Sequence, residues 1–151
     1  MSDDDFDKKF YNGTILLDEF DVTLSFKDDY QIEKATFDFL DTLGFRITDA
    51  GYKYLTYIIK ESMKLDKLDI SMKFYYECCS QHYGVTPKSV ETAIGNAIKT
   101  AGKTGKLSKM NEIFGVELVD SDSISNGMFI SAVCGRFNMN KRYDREIKFQ
   151  A

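Results

Sequence analysis

Apolar residues recur along this chain with two different spacings, and the change of spacing divides it. Over residues 1–33, Phe10, Tyr11, Ile15, Leu16, Leu17, Phe20, Val22, Leu24 and Phe26 are interleaved with acids. Val22-Thr23-Leu24-Ser25-Phe26 alternates as a strand does, and Asn12-Gly13 is a hairpin signal. This predicts a short β-hairpin or meander. From about Gln31 the spacing becomes helical. Residues 35–43 read as a short helix with Gly44 just past its end. Thr48 or Asp49 opens a longer helix to about Met63 that buries Tyr52, Leu55, Ile59 and Met63. Residues 70–83 form an aromatic-rich helix, with Phe74, Tyr75 and Tyr76 read as core. Gly102 and Gly105 provide a break. Residues 106–114 make a short helix stopped by Gly115, and Asp120-Ser121-Asp122-Ser123 is a loop. Ser125 caps a last helix to about Phe137, burying Met128, Phe129, Ala132 and Val133.

The segment between the third helix and the break carries the most information. Gly84 takes a left-handed turn at no steric cost, Thr86 is an N-cap, and Pro87 fits the first helical position. Val90, Ile94, Ala97 and Ile98 then fall on one stripe. Lys88, Glu91, Thr92, Gly95, Asn96, Lys99 and Lys103 lie on the opposite face. The pattern predicts a helix-turn-helix whose second helix buries Val90, Ile94 and Ile98. It exposes Lys88, Glu91, Thr92, Gly95 and Asn96. A capped helix with a small, polar, partly basic outer face can enter a DNA major groove. A merely solvated helix face has the same pattern.

Charge sharpens the picture. The net charge is −4, but residues 1–45 hold 12 acids against 4 bases and residues 46–151 hold 16 bases against 12 acids. Between Ser80 and Lys109 there are five lysines (Lys88, Lys99, Lys103, Lys106 and Lys109) against Glu91 alone. Basic charge therefore gathers on and just after the second helix, where phosphate contacts are made. The chain divides into an acidic extension (1–33), a helical domain (34–137) and a mildly basic tail (138–151). At 151 residues it is long enough for a substantial core.

Other chemistry has little to build on. Three cysteines, two of them adjacent, cannot form a disulfide framework and read as reduced core thiols. Cys78, Cys79 and His82 offer metal-binding atoms, but without the paired spacing of a zinc module. There is one histidine, and there is no phosphate-binding glycine loop. The expectation is a chain that is not an enzyme, with no catalytic residues, metal or cofactor. The acidic N-terminus is unlike a signal peptide, and no apolar run approaches the roughly 20 residues of a membrane span. The expected location is the cytoplasm, without membrane contact.

Several segments resemble the C-terminal DNA-binding domain of stage 0 sporulation protein A, the sporulation response regulator of endospore-forming bacteria. They are Leu43-Gly44-Phe45, Gly51-Tyr52-Lys53-Tyr54-Leu55 and Ser89-Val90-Glu91-Thr92-Ala93-Ile94-Gly95-Asn96-Ala97-Ile98. Gly105-Lys106-Leu107, Ile113-Phe114-Gly115 and Phe129-Ile130-Ser131-Ala132-Val133 follow, in order, across residues 36–137. The resemblance implies a mainly α, six-helix effector domain containing a helix-turn-helix. It would bind promoter DNA as a tandem pair and contact RNA polymerase or a regulator protein, with homodimers expected. It implies residues 75–83 as the first helix of the motif and residues 87–100 as the recognition helix. The candidate DNA-binding residues are Thr86, Lys88, Ser89, Glu91, Thr92, Gly95, Asn96, Lys99, Lys103 and Lys106.

Two departures bear on function. The family carries an N-terminal phospho-receiver, and about 35 residues are too few for one, so activation in cis is not expected. The family's recognition helix also places arginines where this chain has Thr92 and Gly95. An arginine forked onto guanine is worth about 1–3 kcal/mol of base discrimination. The primary reading is a DNA-binding transcriptional regulator without a receiver. The alternative is a protein-interaction or antagonist module that keeps the fold without reading bases. The acidic extension is expected to fold onto the helical core or to form a dimer contact, and to limit access to the basic face.

Overall fold

The computed structural model describes residues 29–65 and 71–150, with Leu65 and the stretch beyond Asn138 described by backbone alone. The described residues form six helices and no sheet. These are α1 (Asp29–Thr42), α2 (Ala50–Leu65), α3 (Met72–Tyr83), α4 (Pro87–Lys103), α5 (Lys109–Phe114) and α6 (Asn126–Gln150). The hairpin expected near the N-terminus lies outside the described residues. The boundary drawn after residue 33 falls inside α1, which begins at Asp29.

Several helix ends have a local cause. α1 buries Ile32, Ala35, Thr36, Phe39 and Leu40 on one stripe. The Thr36 hydroxyl is satisfied by the Ile32 carbonyl at 2.7 Å. Past its end the Phe45 N–H donates to the Leu40 carbonyl at 3.0 Å, and Phe45 itself is buried. That is the six-to-one bond of a Schellman stop, with its apolar contact. α3 is capped by Ser71, whose hydroxyl accepts from the Phe74 N–H. It stops at Gly84, where φ is +69° and the Val85 N–H reaches the Ser80 carbonyl at 3.0 Å. Three residues later α4 begins, with Thr86 as the cap and Pro87 in the first turn.

α2 is the centre of the molecule, touching α1, α3, α4 and α6. The expected stripe of Tyr52, Leu55, Ile59 and Met63 is buried, and Tyr54 and Ile58 join it. Gly51 makes the α2–α4 crossing close: a Cβ there would strike the Ala93 backbone and sit 2.7 Å from the Ala97 Cβ. Aromatic edges tie the remaining helices together. Phe39 of α1 meets Phe114 of α5 at 6.2 Å and Phe137 of α6 at 6.3 Å between ring centroids.

Several expectations are corrected. Met128 and Phe74 are exposed, at 52% and 41%, because the core instead takes Phe129, Ile130, Val133 and Phe137 from α6 and Tyr75 and Cys79 from α3. Ala132 is only half-buried. α4 runs past Gly102 to Lys103, and α5 begins at Lys109, so Lys106 lies in the turn between them. α6 does not stop at Phe137. Asn138 is buried and donates to the Cys134 carbonyl at 2.9 Å, which satisfies its amide inside the helix. No Gly or Pro follows to end α6, which is 25 residues long in all, about 37 Å at 1.5 Å per residue.

Candidate nucleic-acid interface

α4 owes its orientation to its apolar stripe. Val90, Ile94, Ala97, Ile98 and Ala101 are all buried, so the opposite side faces solvent. At 100° per residue, Lys88, Thr92, Asn96, Lys99 and Lys103 fall in one outward row. All five are exposed. At the start of the helix the Thr86 hydroxyl accepts from the Ser89 N–H at 3.1 Å and meets the Ser89 hydroxyl at 2.8 Å. Thr86 and Ser89 thus serve the cap. Lys88 and Glu91 approach to 3.9 Å, a loose pair on open surface. Among the described residues, Lys99, Lys103 and Lys106 make no ion pair.

Gly95 departs from the expected open face. It is half-buried, beneath the side chain of Asn126 at the start of α6. The Asn126 amide donates to the Glu91 carbonyl at 2.9 Å and reaches the Tyr76 hydroxyl at 3.4 Å. One side chain thereby joins α3, α4 and α6 beside the outward row. Burial pushes the Tyr76 phenol upward, and the contact from Asn126 offsets part of that rise.

Two clefts border the row on opposite flanks. One, of about 390 Å³, lies between the Gly95–Gly102 side of α4 and residues 121–126. Lys99, Lys103, Ser121, Asp122 and Ser123 are on its walls. The facing loop is fixed by Asn111, whose carbonyl oxygen accepts from the Leu118 and Val119 N–H groups and whose amide donates to the Val119 carbonyl. Its tip is a two-residue turn, Asp120 and Ser123 exchanging both backbone hydrogen bonds at 3.0 Å. Ser121 and Asp122 sit at φ of 52° and 60°, as such a tight turn demands. The other cleft, of about 290 Å³, lies between the Ala93, Asn96 and Thr100 side and the start of α2, with Arg46 on its outer wall.

Nine of the ten residues proposed from sequence lie on α4 or in its cap, and Lys106 lies just beyond. Sequence reasoning missed Asn126, Arg46 and the residue 121–123 wall. Asn126 gave a weak signal as an amide at a helix start. Arg46 gave only its charge.

A larger cleft, about 530 Å³, opens on the far side of α2 and contains Lys53, Tyr57, Lys60, Lys64, His82 and Tyr83. Tyr57 and His82 stack at 4.6 Å, and the Lys53 ammonium stands 4.7 Å from the Tyr83 ring centre. Lys60 donates to Glu33 at 2.9 Å. Cys78, near this cleft, is half-buried, while Cys79 and Cys134 are buried, and all three are free thiols. Burial pushes the Cys79 thiol up to about 12. Among the described residues no group of three or more His, Cys, Asp and Glu side chains could hold a metal ion. No helix among them is long and apolar enough to cross a membrane.

Residues 36–137, from the second turn of α1 into α6, match the family model described as sporulation initiation factor Spo0A C terminal. Comparison with curated proteins and with solved structures gives no match.

Proposed function

The chain belongs to the family of the sporulation initiation factor Spo0A C-terminal domain, and on that premise we propose that it binds double-stranded DNA as a transcriptional regulator. In this reading α3 and α4 are a helix-turn-helix. α4 lies in the major groove, with Glu91, Thr92 and Asn96 toward the base edges and Lys88, Lys99, Lys103 and Lys106 toward phosphates. The observation that carries the reading is the outward row of α4, where Lys99 and Lys103 stand exposed and make no ion pair among the described residues. Asn can pair with adenine, and Glu can accept from a cytosine amino group. With Thr92 and Gly95 at the arginine positions, the preferred sequence differs from that of arginine-bearing members. Tandem binding, contact with RNA polymerase and action in the cytoplasm belong to the same proposal and rest on family membership. The acidic residues 1–28 are proposed to limit access to this face. Their removal then tightens binding at low salt, where electrostatic competition is least screened.

Selection of bound duplexes from a random DNA pool, followed by a salt titration, tests the proposal. Enrichment of a defined motif, with affinity falling steeply as salt rises, is the expected result. No enrichment and no duplex binding at low salt overturns it. A second reading, a protein-interaction or antagonist module, draws on one observation: Gly95, at an arginine position of the family, is covered by Asn126. It predicts a protein partner whose binding changes little with salt.

A further inference from the structure

Every cation assigned so far to DNA lies on the outward row of α4 or just past its end. The flank formed by Ala93, Asn96, Ala97 and Thr100 carries no charge of its own. Arg46, in the α1–α2 connection, forms the far wall of the cleft on that flank. We infer that Arg46 is a second phosphate-binding point, holding the DNA strand opposite the one held by Lys99 and Lys103. The inference rests on the DNA-binding reading above and extends it to a residue outside the helix-turn-helix.

A major groove is about 12 Å wide, and a helix with its side chains is about 10–12 Å across. A helix lying in the groove therefore has the phosphates of one strand along each flank. One flank of α4 has Lys99 and Lys103 facing the residue 121–123 wall. On the other flank the α4 side chains are short and neutral, so a cation there must come from another element. The start of α2 is pressed against it, because Gly51 packs directly on Ala93 and Ala97.

Arg46 suits the task. Its side chain is 65% exposed, and one Nη2–H reaches Asp49 Oδ1 at 3.2 Å. A guanidinium has five N–H donors, so Asp49 orients the fork and leaves most of it for a phosphate. Exposed pairs of this kind hold weakly, so the guanidinium can turn to a stronger anion.

The test compares binding of random-sequence duplex by the intact chain and by single variants across a salt series. Each phosphate contact contributes about 0.9 to the log–log salt slope, so near 0.1 M salt Arg46→Ala should weaken every duplex about eightfold. The slope should shrink by about 0.9 and the melting temperature should not change. Asp49→Asn, which removes the competing carboxylate, should bind at least as tightly as the intact chain. Lys64→Ala, on the far side of α2, should bind as the intact chain does. Lys99→Ala weakened with Arg46→Ala unchanged overturns the inference and leaves the α4 reading standing. Equal losses in Arg46→Ala and Lys64→Ala overturn it as well, by reducing the effect to net charge. If the intact chain binds no duplex, the DNA reading itself fails and the inference with it.

Discussion

Lysines lie on two faces of this bundle and meet different surroundings on each. On the outer face of α2, Lys60 is held by Glu33 at 2.9 Å, Lys64 lies 3.5 Å from Glu61, and Lys53 stands over the Tyr83 ring. On α4, Lys99 and Lys103 are exposed and make no ion pair among the described residues, with Asp122 on the facing wall of their cleft. The α2 face settles its charge internally, and its aromatic rings are already stacked on one another. In the proposed reading the α4 face leaves its charge for DNA phosphates. The larger cleft is therefore not the better functional candidate, because the groups inside it are occupied. What distinguishes the proposed interface is a row of exposed lysines without an ion pair among the described residues, bordered by a cleft on each flank.

The strongest perturbation removes the scaffold that both faces share. Ile94 is fully buried beneath the outward row. Ile94→Ala should cost about 2–5 kcal/mol in chemical denaturation. A cost well under 1 kcal/mol would mean that α4 is not anchored as described. The next perturbation separates the faces. Lys99→Ala with Lys103→Ala should reduce duplex affinity about 60-fold near 0.1 M salt, from two contacts at about 0.9 log unit each. Lys60→Ala with Lys64→Ala should change it less than about twofold, since those charges touch no phosphate. Fluorescence anisotropy across a salt series reads both, and similar losses in the two pairs would erase the distinction between the faces.

pH sharpens the contrast from the other side. Burial, with Asp41 and Asp38 nearby, pushes the Tyr52 phenol up to about 12, and burial does the same to Tyr75. A phenol whose folded value is raised holds its proton longer in the folded state than in the unfolded chain. Its contribution is complete below about pH 10 and is lost as pH rises toward 12. Thermal melts should therefore be flat with respect to these groups up to pH 10 and fall beyond it. Tyr52→Phe with Tyr75→Phe should reduce that fall, and an unchanged alkaline limb would contradict the assignment. A smaller effect is expected at the cap. Thr86→Ala removes the hydroxyl that accepts from Ser89 and should cost about 1 kcal/mol by denaturation, with binding weakened only as far as the first turn of α4 frays.

Much of the helical frame was legible in the sequence because its causes are local. Gly44, Gly84 and Gly115 each end a helix at positive φ, Thr86 caps α4, and the Val90–Ile94–Ile98 spacing fixes which side of α4 is buried. The errors arose where a distant element decides. Met128 and Phe129 are adjacent apolar residues, and only tertiary packing, with the Phe45 ring 5.3 Å away, selects Phe129 for the core. Gly95 sits at the edge of the apolar stripe, and its exposure depends on an asparagine 31 positions away. The length of α6 is not legible from apolar spacing because the segment after Phe137 is polar, although nothing in it breaks a helix. Arg46 was missed because its place beside α4 follows from the close crossing at Gly51.

In the proposed reading the outward row of α4, and not the aromatic cleft of α2 and α3, meets DNA. Titrating isotope-labelled chain with duplex and following each backbone amide tests it most directly. The largest shifts are expected at Thr92, Asn96 and Lys99, smaller ones at Arg46 and Ser121–Ser123, and little change at Tyr57, Lys60 and His82. Shifts concentrated at Tyr57, Lys60 and His82, or none anywhere at saturating duplex, would contradict it.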